Sequence, residues 1–188
     1  MDVLPFSRMH SQRWRSLTAG ETAMAALLFG DAIDYRKARI FNRRYLPFGL
    51  QPNNCAMTPN GAMYFQRSCC LLDFSAGSEH ARHWFMHEMV HVWQHQLGYP
   101  VRTRGALRIG LSYRYDLARD KTLSDYNMEA QGDLLADYFV LKHLHAPGAM
   151  RQTRYADNLA LFENVLASFL LQPAARENLP KGIVRRLR

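Results

Sequence analysis

The sequence predicts an α+β architecture: a small antiparallel sheet, a central helix carrying two histidines one turn apart, and a second long helix. Three observations point there. Ser78 can cap a helix with Glu79 in its first turn, and Gly98 followed by Pro100 stops it, so Phe85-Met86-His87-Glu88-Met89-Val90-His91-Val92-Trp93-Gln94 falls inside one helical run. Ser124-Asp125-Tyr126-Asn127 starts a second run that reaches about His145, where Pro147-Gly148 ends it. Residues 33–41 alternate polar and apolar positions, and residues 56–65 hold an Asn60-Gly61 turn, which together suggest strands.

The elements follow in order. Residues 1–16 read as an irregular arm. Thr18-Ala19-Gly20-Glu21 is a capping box ahead of a helix from Thr22 to Phe29, ended by Gly30. Ile33, Tyr35, Ala38 and Ile40 suggest a strand over 33–41, and the prolines and glycine of 45–54 a loop. Residues 56–65 read as a hairpin whose Asn-Gly turn supplies positive φ angles. Residues 69–74 are a short apolar strand or helix lead-in. Residues 99–123 form a basic, tyrosine-rich connection, a loop with a short strand near Leu107–Tyr115, long enough to rim a site. A last amphipathic helix spans Tyr155 to Leu171, with Leu159, Phe162, Leu166 and Phe169 as a core stripe. One domain is expected over residues 1–188, with 175–188 a second irregular arm.

Composition narrows the function classes. With 48% hydrophobic and 12% aromatic residues, the chain can bury a sizeable core. The net charge of +8 is partly a matter of the tail, where Lys181, Arg185, Arg186 and Arg188 supply four of the 24 basic residues. No nucleic-acid-binding motif accompanies that charge, so a solvated basic face is favoured and no nucleic-acid partner is expected. The first ten residues lack the apolar run of a signal peptide, and no membrane span is expected. Cys55, Cys69 and Cys70 include no C-x-x-C pair, which argues against a zinc knuckle or a disulfide framework and makes Cys69 and Cys70 packing residues.

The chemistry sits in His87-Glu88-Met89-Val90-His91, an H-E-x-x-H motif. Helical positions i and i+4 differ by about 6 Å of rise and roughly 40° of rotation, so both imidazoles project from one face. That suits two nitrogens on one Zn²⁺ at about 2.0–2.1 Å. Glu88 lies beside them, placed to take the proton of a water on the metal. Catalytic zinc sites keep three protein ligands and one open position. Glu129 on the second helix is the expected third ligand, with Asp133 or Asp137 as alternatives. Asp133 can instead accept the free N–H of a liganding imidazole. Gly132 is consistent with close approach of the two helices, because a helix-interior glycine otherwise costs about 1 kcal/mol relative to alanine. The competing reading of Glu129, Asp133 and Asp137 is a solvated acidic stripe. His83 and His95 drift off the metal-facing line and are expected as rim or packing residues, and His95 stands at the wrong offset for a metzincin. Tyr113, Tyr115, Tyr126 and His143 are candidate donors to an oxyanion.

Glu129 and Asp133, following the H-E-x-x-H, resemble the gluzincin arrangement of zinc peptidases. More narrowly, four stretches resemble the zinc-metallopeptidase effector domain attached to some VgrG-type spike proteins of type VI secretion systems. They are Ser16-Leu17-Thr18-Ala19-Gly20-Glu21, Phe29-Gly30-Asp31-Ala32-Ile33-Asp34-Tyr35, Ala56-Met57-Thr58-Pro59-Asn60-Gly61 and Phe85–Gln94. The likeness covers residues 16–140. It implies a zincin-like fold, zinc on His87, His91 and Glu129, and Glu88 as the catalytic residue. It also implies an antibacterial toxin, delivered by contact, that cuts a peptide or protein substrate in the target periplasm, with a VgrG-type spike and a cognate immunity protein as partners. The chain contains no spike domain, so an excised domain, a separately loaded cargo and a relative with another role all remain open. So do a catalytically silent metal-binding scaffold and a basic nucleic-acid-associated protein.

Overall fold

The computed structural model describes residues 14–48, 50–51, 53–107 and 111–181. Among these residues, five helices, α1 (Ala19–Phe29), α2 (Glu79–Gln96), α3 (Val101–Leu107), α4 (Met128–His143) and α5 (Leu159–Leu171), accompany three strands, β1 (Trp14–Arg15), β2 (Arg39–Asn42) and β3 (Ala62–Phe65). The Ser78 hydroxyl accepts from Ala81 N and starts α2. Apolar side chains wrap that helix: Phe85, Met86, Met89, Val90, Val92 and Trp93 are all fully buried. Trp93 stands between α1 and α5, its ring 6.2 Å from Phe29 and 5.4 Å from Phe169, and its indole N–H donates to Pro173 O at 2.8 Å. Burying side chains of this size contributes about 1.5–3 kcal/mol each, so α2 is held from several sides by its own core.

The α+β class holds, with a correction to the sheet. Its order is β1-β2-β3, β1 pairing antiparallel with β2 but β2 pairing parallel with β3. A parallel pair needs a crossover connection, and residues 43–61 provide it. The expected hairpin at 56–65 shrinks to one bridge, Met57 with Tyr64, which exchange both backbone hydrogen bonds at 2.9 and 3.2 Å. Only Gly61 of the Asn-Gly pair takes a positive φ, +76°.

Several boundaries also move. The expected strand over 33–41 is reduced to Arg39–Asn42, because Asp34 caps a local turn by accepting from Arg36 N at 3.2 Å while Lys37 N donates to Asp34 O. Helix α1 starts at Ala19, not Thr22, with the Thr18–Glu21 capping box in place. Within the arm 1–16, Trp14–Arg15 is a strand; residues 1–13 lie outside the described residues. Arg15 is clamped there by buried Glu21, two contacts of 2.7 Å, and by Leu71 O. The basic connection holds helix α3, and residues 111–115 carry no strand; 108–110 lie outside the described residues. Asn127 caps α4 at Met128, a separate 3₁₀ turn occupies Leu123–Asp125, and α5 begins at Leu159. In the C-terminal arm, Arg176–Asn178 is a docked 3₁₀ turn, and residues 182–188 lie outside the described residues. Burial pushes the Cys70 thiol up to about 11, which keeps it protonated beside half-buried Cys69.

Candidate metal centre

Helices α2 and α4 run antiparallel and face each other through three rungs. His91 meets Glu129, His87 meets Asp133, and His83 meets Asp137. Each series advances by four residues, so a stripe of histidines lies against a stripe of carboxylates. Gly132 allows the approach. A Cβ there would stand 2.6 Å from His87 Cε1 and 2.7 Å from Nδ1, well inside van der Waals contact.

At the first rung three atoms converge. His87 Nε2 and His91 Nε2 are 3.2 Å apart, and each is 3.3 Å from Glu129 Oε2. Tetrahedral zinc with ligands at about 2.0–2.1 Å has neighbouring ligand atoms about 3.3–3.4 Å apart, so this nearly equilateral triangle matches one face of such a site. His87, His91 and Glu129 can therefore hold a metal ion, and the donor set, two imidazoles and a carboxylate, suits zinc chemistry. Asp133 and Asp137 are not part of the triangle. Asp133 Oδ1 sits 2.8 Å from His87 Nδ1, behind the ring, and orients it. Asp137 is fully buried and faces His83 Nε2 at 2.7 Å, accepting also from the Tyr115 hydroxyl, Arg151 N and Gln152 N. His83 is thus a packing residue. His95 lies exposed against the Gly61 turn.

Glu88 is buried on the same turn of α2, and its Oε2 accepts from the Thr58 hydroxyl at 2.5 Å. Thr58 went unassigned in the sequence because its link to Glu88 spans thirty residues; the Thr-Pro-Asn-Gly turn was the only signal there. Gln94 was also missed. Its Oε1 lies 2.9 Å from His91 Nδ1, three positions along the helix, a local spacing that could have revealed it. Among the oxyanion candidates, Tyr113 stacks on His87 with ring centroids 6.0 Å apart and planes at 27°. Desolvation and the nearby Glu129 charge push its phenol well above the ordinary range, so it stays protonated. The others are engaged or remote: Tyr115 on Asp137, Tyr126 on Asp116 O, and His143 about 21 Å from Glu129 along α4.

The cluster's protons have a definite sign. Burial alone would push the His87 imidazolium down, but hydrogen bonds to Asp133 and Glu129 outweigh it and hold the pKa at about 10, above the ordinary 6.5. His91 is raised as well, the Glu129 charge overcoming burial. Glu129 is held far below the usual carboxylate range, since the His91 and His87 charges overcome its own desolvation. In the metal-free protein the His87 contribution to stability is therefore complete below pH 6.5 and fades as pH rises towards 10. A metal must displace that proton. Zinc affinity, measured by chelator competition, is expected to climb about tenfold per pH unit from about pH 7 to 9. An affinity flat over that span would mean that His87 holds no such proton in the metal-free protein.

The sequence matches no protein-family model. It is 41% identical over 136 residues to the type VI secretion system spike protein VgrG2b of Pseudomonas aeruginosa, a match covering 69% of this chain and 13% of that protein. The chain thus spans about an eighth of the curated relative. Among solved structures, the effector domain of Pseudomonas aeruginosa VgrG2b superposes with a TM-score of 0.65 at 38% identity, covering 81% of this chain and 82% of that domain. The fold and the sequence are both similar to those of an effector domain carried by a type VI secretion spike protein. The chain belongs to the family of the VgrG2b effector domain.

Proposed function

We propose that the chain is a zinc-dependent metallopeptidase of zincin-like, gluzincin type, an antibacterial type VI effector that hydrolyses peptide bonds in the periplasm of a target cell. The observation that carries this reading is the triangle of His87, His91 and Glu129 with Glu88 buried beside it, its carboxylate fixed by Thr58. Zinc held by His87, His91 and Glu129 would supply a Lewis acid, acidifying water towards a pKa of about 7 and polarising a carbonyl. Glu88 takes the proton from the attacking water and returns it to the leaving amide nitrogen. Thr58 keeps the Glu88 carboxylate in one rotamer throughout. Tyr113 donates its O–H to the carbonyl oxygen as negative charge develops there. Asp133 holds the His87 ring by its Nδ1–H and so keeps Nε2 turned to the metal. A peptide or protein substrate, a VgrG-type spike and a cognate immunity protein are the partners this role requires. Among the described residues no helix is long and apolar enough to cross a membrane.

Metal analysis of the purified chain joined to a bacterial growth assay tests the reading. Close to one zinc per chain is expected, falling strongly in His87→Ala, His91→Ala and Glu129→Ala. Expression with an export signal is expected to harm the host more than expression without one. Full zinc occupancy in Glu129→Ala would place the third ligand elsewhere. Zinc binding with no toxicity in either compartment would favour a silent scaffold.

A further inference from the structure

We propose that Gln94 and Gln131 are positioning residues of the metal centre: two buried amides that fix the ring of His91 and tie it to the C-terminal turn at Arg176–Asn178. The inference rests on the reading of His87, His91 and Glu129 as a metal site. His91 directs Nε2 at Glu129 and His87, so its Nδ1 carries the proton and donates to Gln94 Oε1 at 2.9 Å. That sets the Gln94 amide, whose Nε2 donates to Met128 O at 3.2 Å and to Gln131 Oε1 at 2.9 Å. Gln131 is set in turn, and its Nε2 donates to Leu123 O at 2.8 Å and to Asn178 O at 2.9 Å. Both glutamines are completely buried.

The relay has a direction. Turning the Gln94 amide over would put its NH₂ against the His91 N–H and its carbonyl against Met128 O and Gln131 Oε1. Turning Gln131 over would set its oxygen against two backbone carbonyls. Each amide has its full set of donors used, so neither can rotate without leaving a buried group unpaired. At the far end, Asn178 is itself buried and its Nδ2 donates to Gln172 O at 2.9 Å. Lys181 N donates to Ser124 O, and Lys181 Nζ pairs with Asp125 at 2.7 Å. The C-terminal turn therefore closes over the start of α4, the end that carries Glu129, so one segment steadies two of the three ligands. The contrast with His87 is chemical. His87 leans on the ionised Asp133, whereas a neutral amide behind His91 avoids adding one more negative charge to Glu88, Glu129 and Asp133.

The test uses the full chain labelled with ¹⁵N at histidine, with zinc affinity measured by chelator competition. In the parent, the His91 Nδ1–H is expected as a downfield resonance protected from exchange. Gln94→Met has a similar volume and no acceptor; it is expected to lose that resonance and to weaken zinc about 10–100-fold. Gln94→Glu keeps an acceptor for the His91 N–H but sets its second oxygen against Met128 O and Gln131 Oε1. It is therefore expected to keep the resonance, shifted further downfield, while losing the link to Gln131. Gln131→Met, one step away, is expected to weaken zinc less than Gln94→Met does. A purely structural role would instead lower Tm while leaving the resonance and the zinc affinity of the folded fraction unchanged, and that result overturns the relay. So does a Gln94→Glu protein that folds but lacks the His91 resonance. If a Gln94 variant does not fold, Gln131→Met decides: folded, with the parent's resonance and affinity, it overturns the proposal. Absence of zinc from the parent would sink the metal reading and the relay together, whereas normal zinc binding by Gln94→Met sinks the relay alone.

Discussion

Glu88→Gln is expected to bind as much zinc as the parent and to lose peptidase activity, or toxicity on export, by about 10²–10⁴-fold or more, the range that a positioned proton-transfer group supplies. The geometry separates the two properties. The three atoms that could hold a metal belong to His87, His91 and Glu129, while Glu88 is engaged by Thr58. The amide preserves size and still offers an oxygen to the Thr58 hydroxyl, so fold and metal are expected to survive. It cannot accept a proton from water at neutral pH. Metal content by elemental analysis, set beside growth inhibition by the exported protein, reads both properties. Loss of zinc together with activity would make Glu88 a structural residue. Full activity with zinc bound would end the enzymatic reading.

What could be read in the chain without the structure is what local spacing controls. His87 and His91 are four apart on a helix whose two ends are marked by Ser78 and Gly98, so their shared face follows from helix geometry alone. Glu129 was within reach because Asn127 marks the start of its helix, and Asp133 follows one turn later. Elements set by distant partners were not legible. The parallel direction of β3 depends on how residues 43–61 cross over, which alternation along a strand does not encode. Pro100 reads as the stop of α2, yet it also precedes α3, where a proline at a helix start is equally at home. Tyr113 could be separated from Tyr115 and Tyr126 only once each hydroxyl's surroundings were known. The Thr58–Glu88 contact and the Gln131–Asn178 contact join residues 30 and 47 positions apart, and neither leaves a periodic trace.

Gly132→Ala is expected to cost zinc affinity at least about 100-fold, more than the loss of an outer hydrogen-bonding partner, while changing the stability of the metal-free protein far less. On helix propensity alone alanine would stabilise α4 by about 1 kcal/mol. Against that stands the His87 ring. A Cβ at 132 would lie 2.6 Å from Cε1, 2.7 Å from Nδ1 and 3.0 Å from Nε2, so the whole imidazole must retreat. It has little room, because Asp133 holds Nδ1 at 2.8 Å and Tyr113 stacks against the ring. Overpacking of this kind costs typically about 1–3 kcal/mol, which the propensity gain partly offsets. Metal binding has no such offset: a ring displaced by several tenths of an ångström takes Nε2 off the 3.2–3.3 Å triangle with His91 and Glu129. Chelator competition and thermal denaturation of the metal-free protein, run side by side, distinguish the outcomes. A Gly132→Ala protein that binds zinc like the parent would mean that His87 moves freely, and that close approach of α2 and α4 is not what shapes the site.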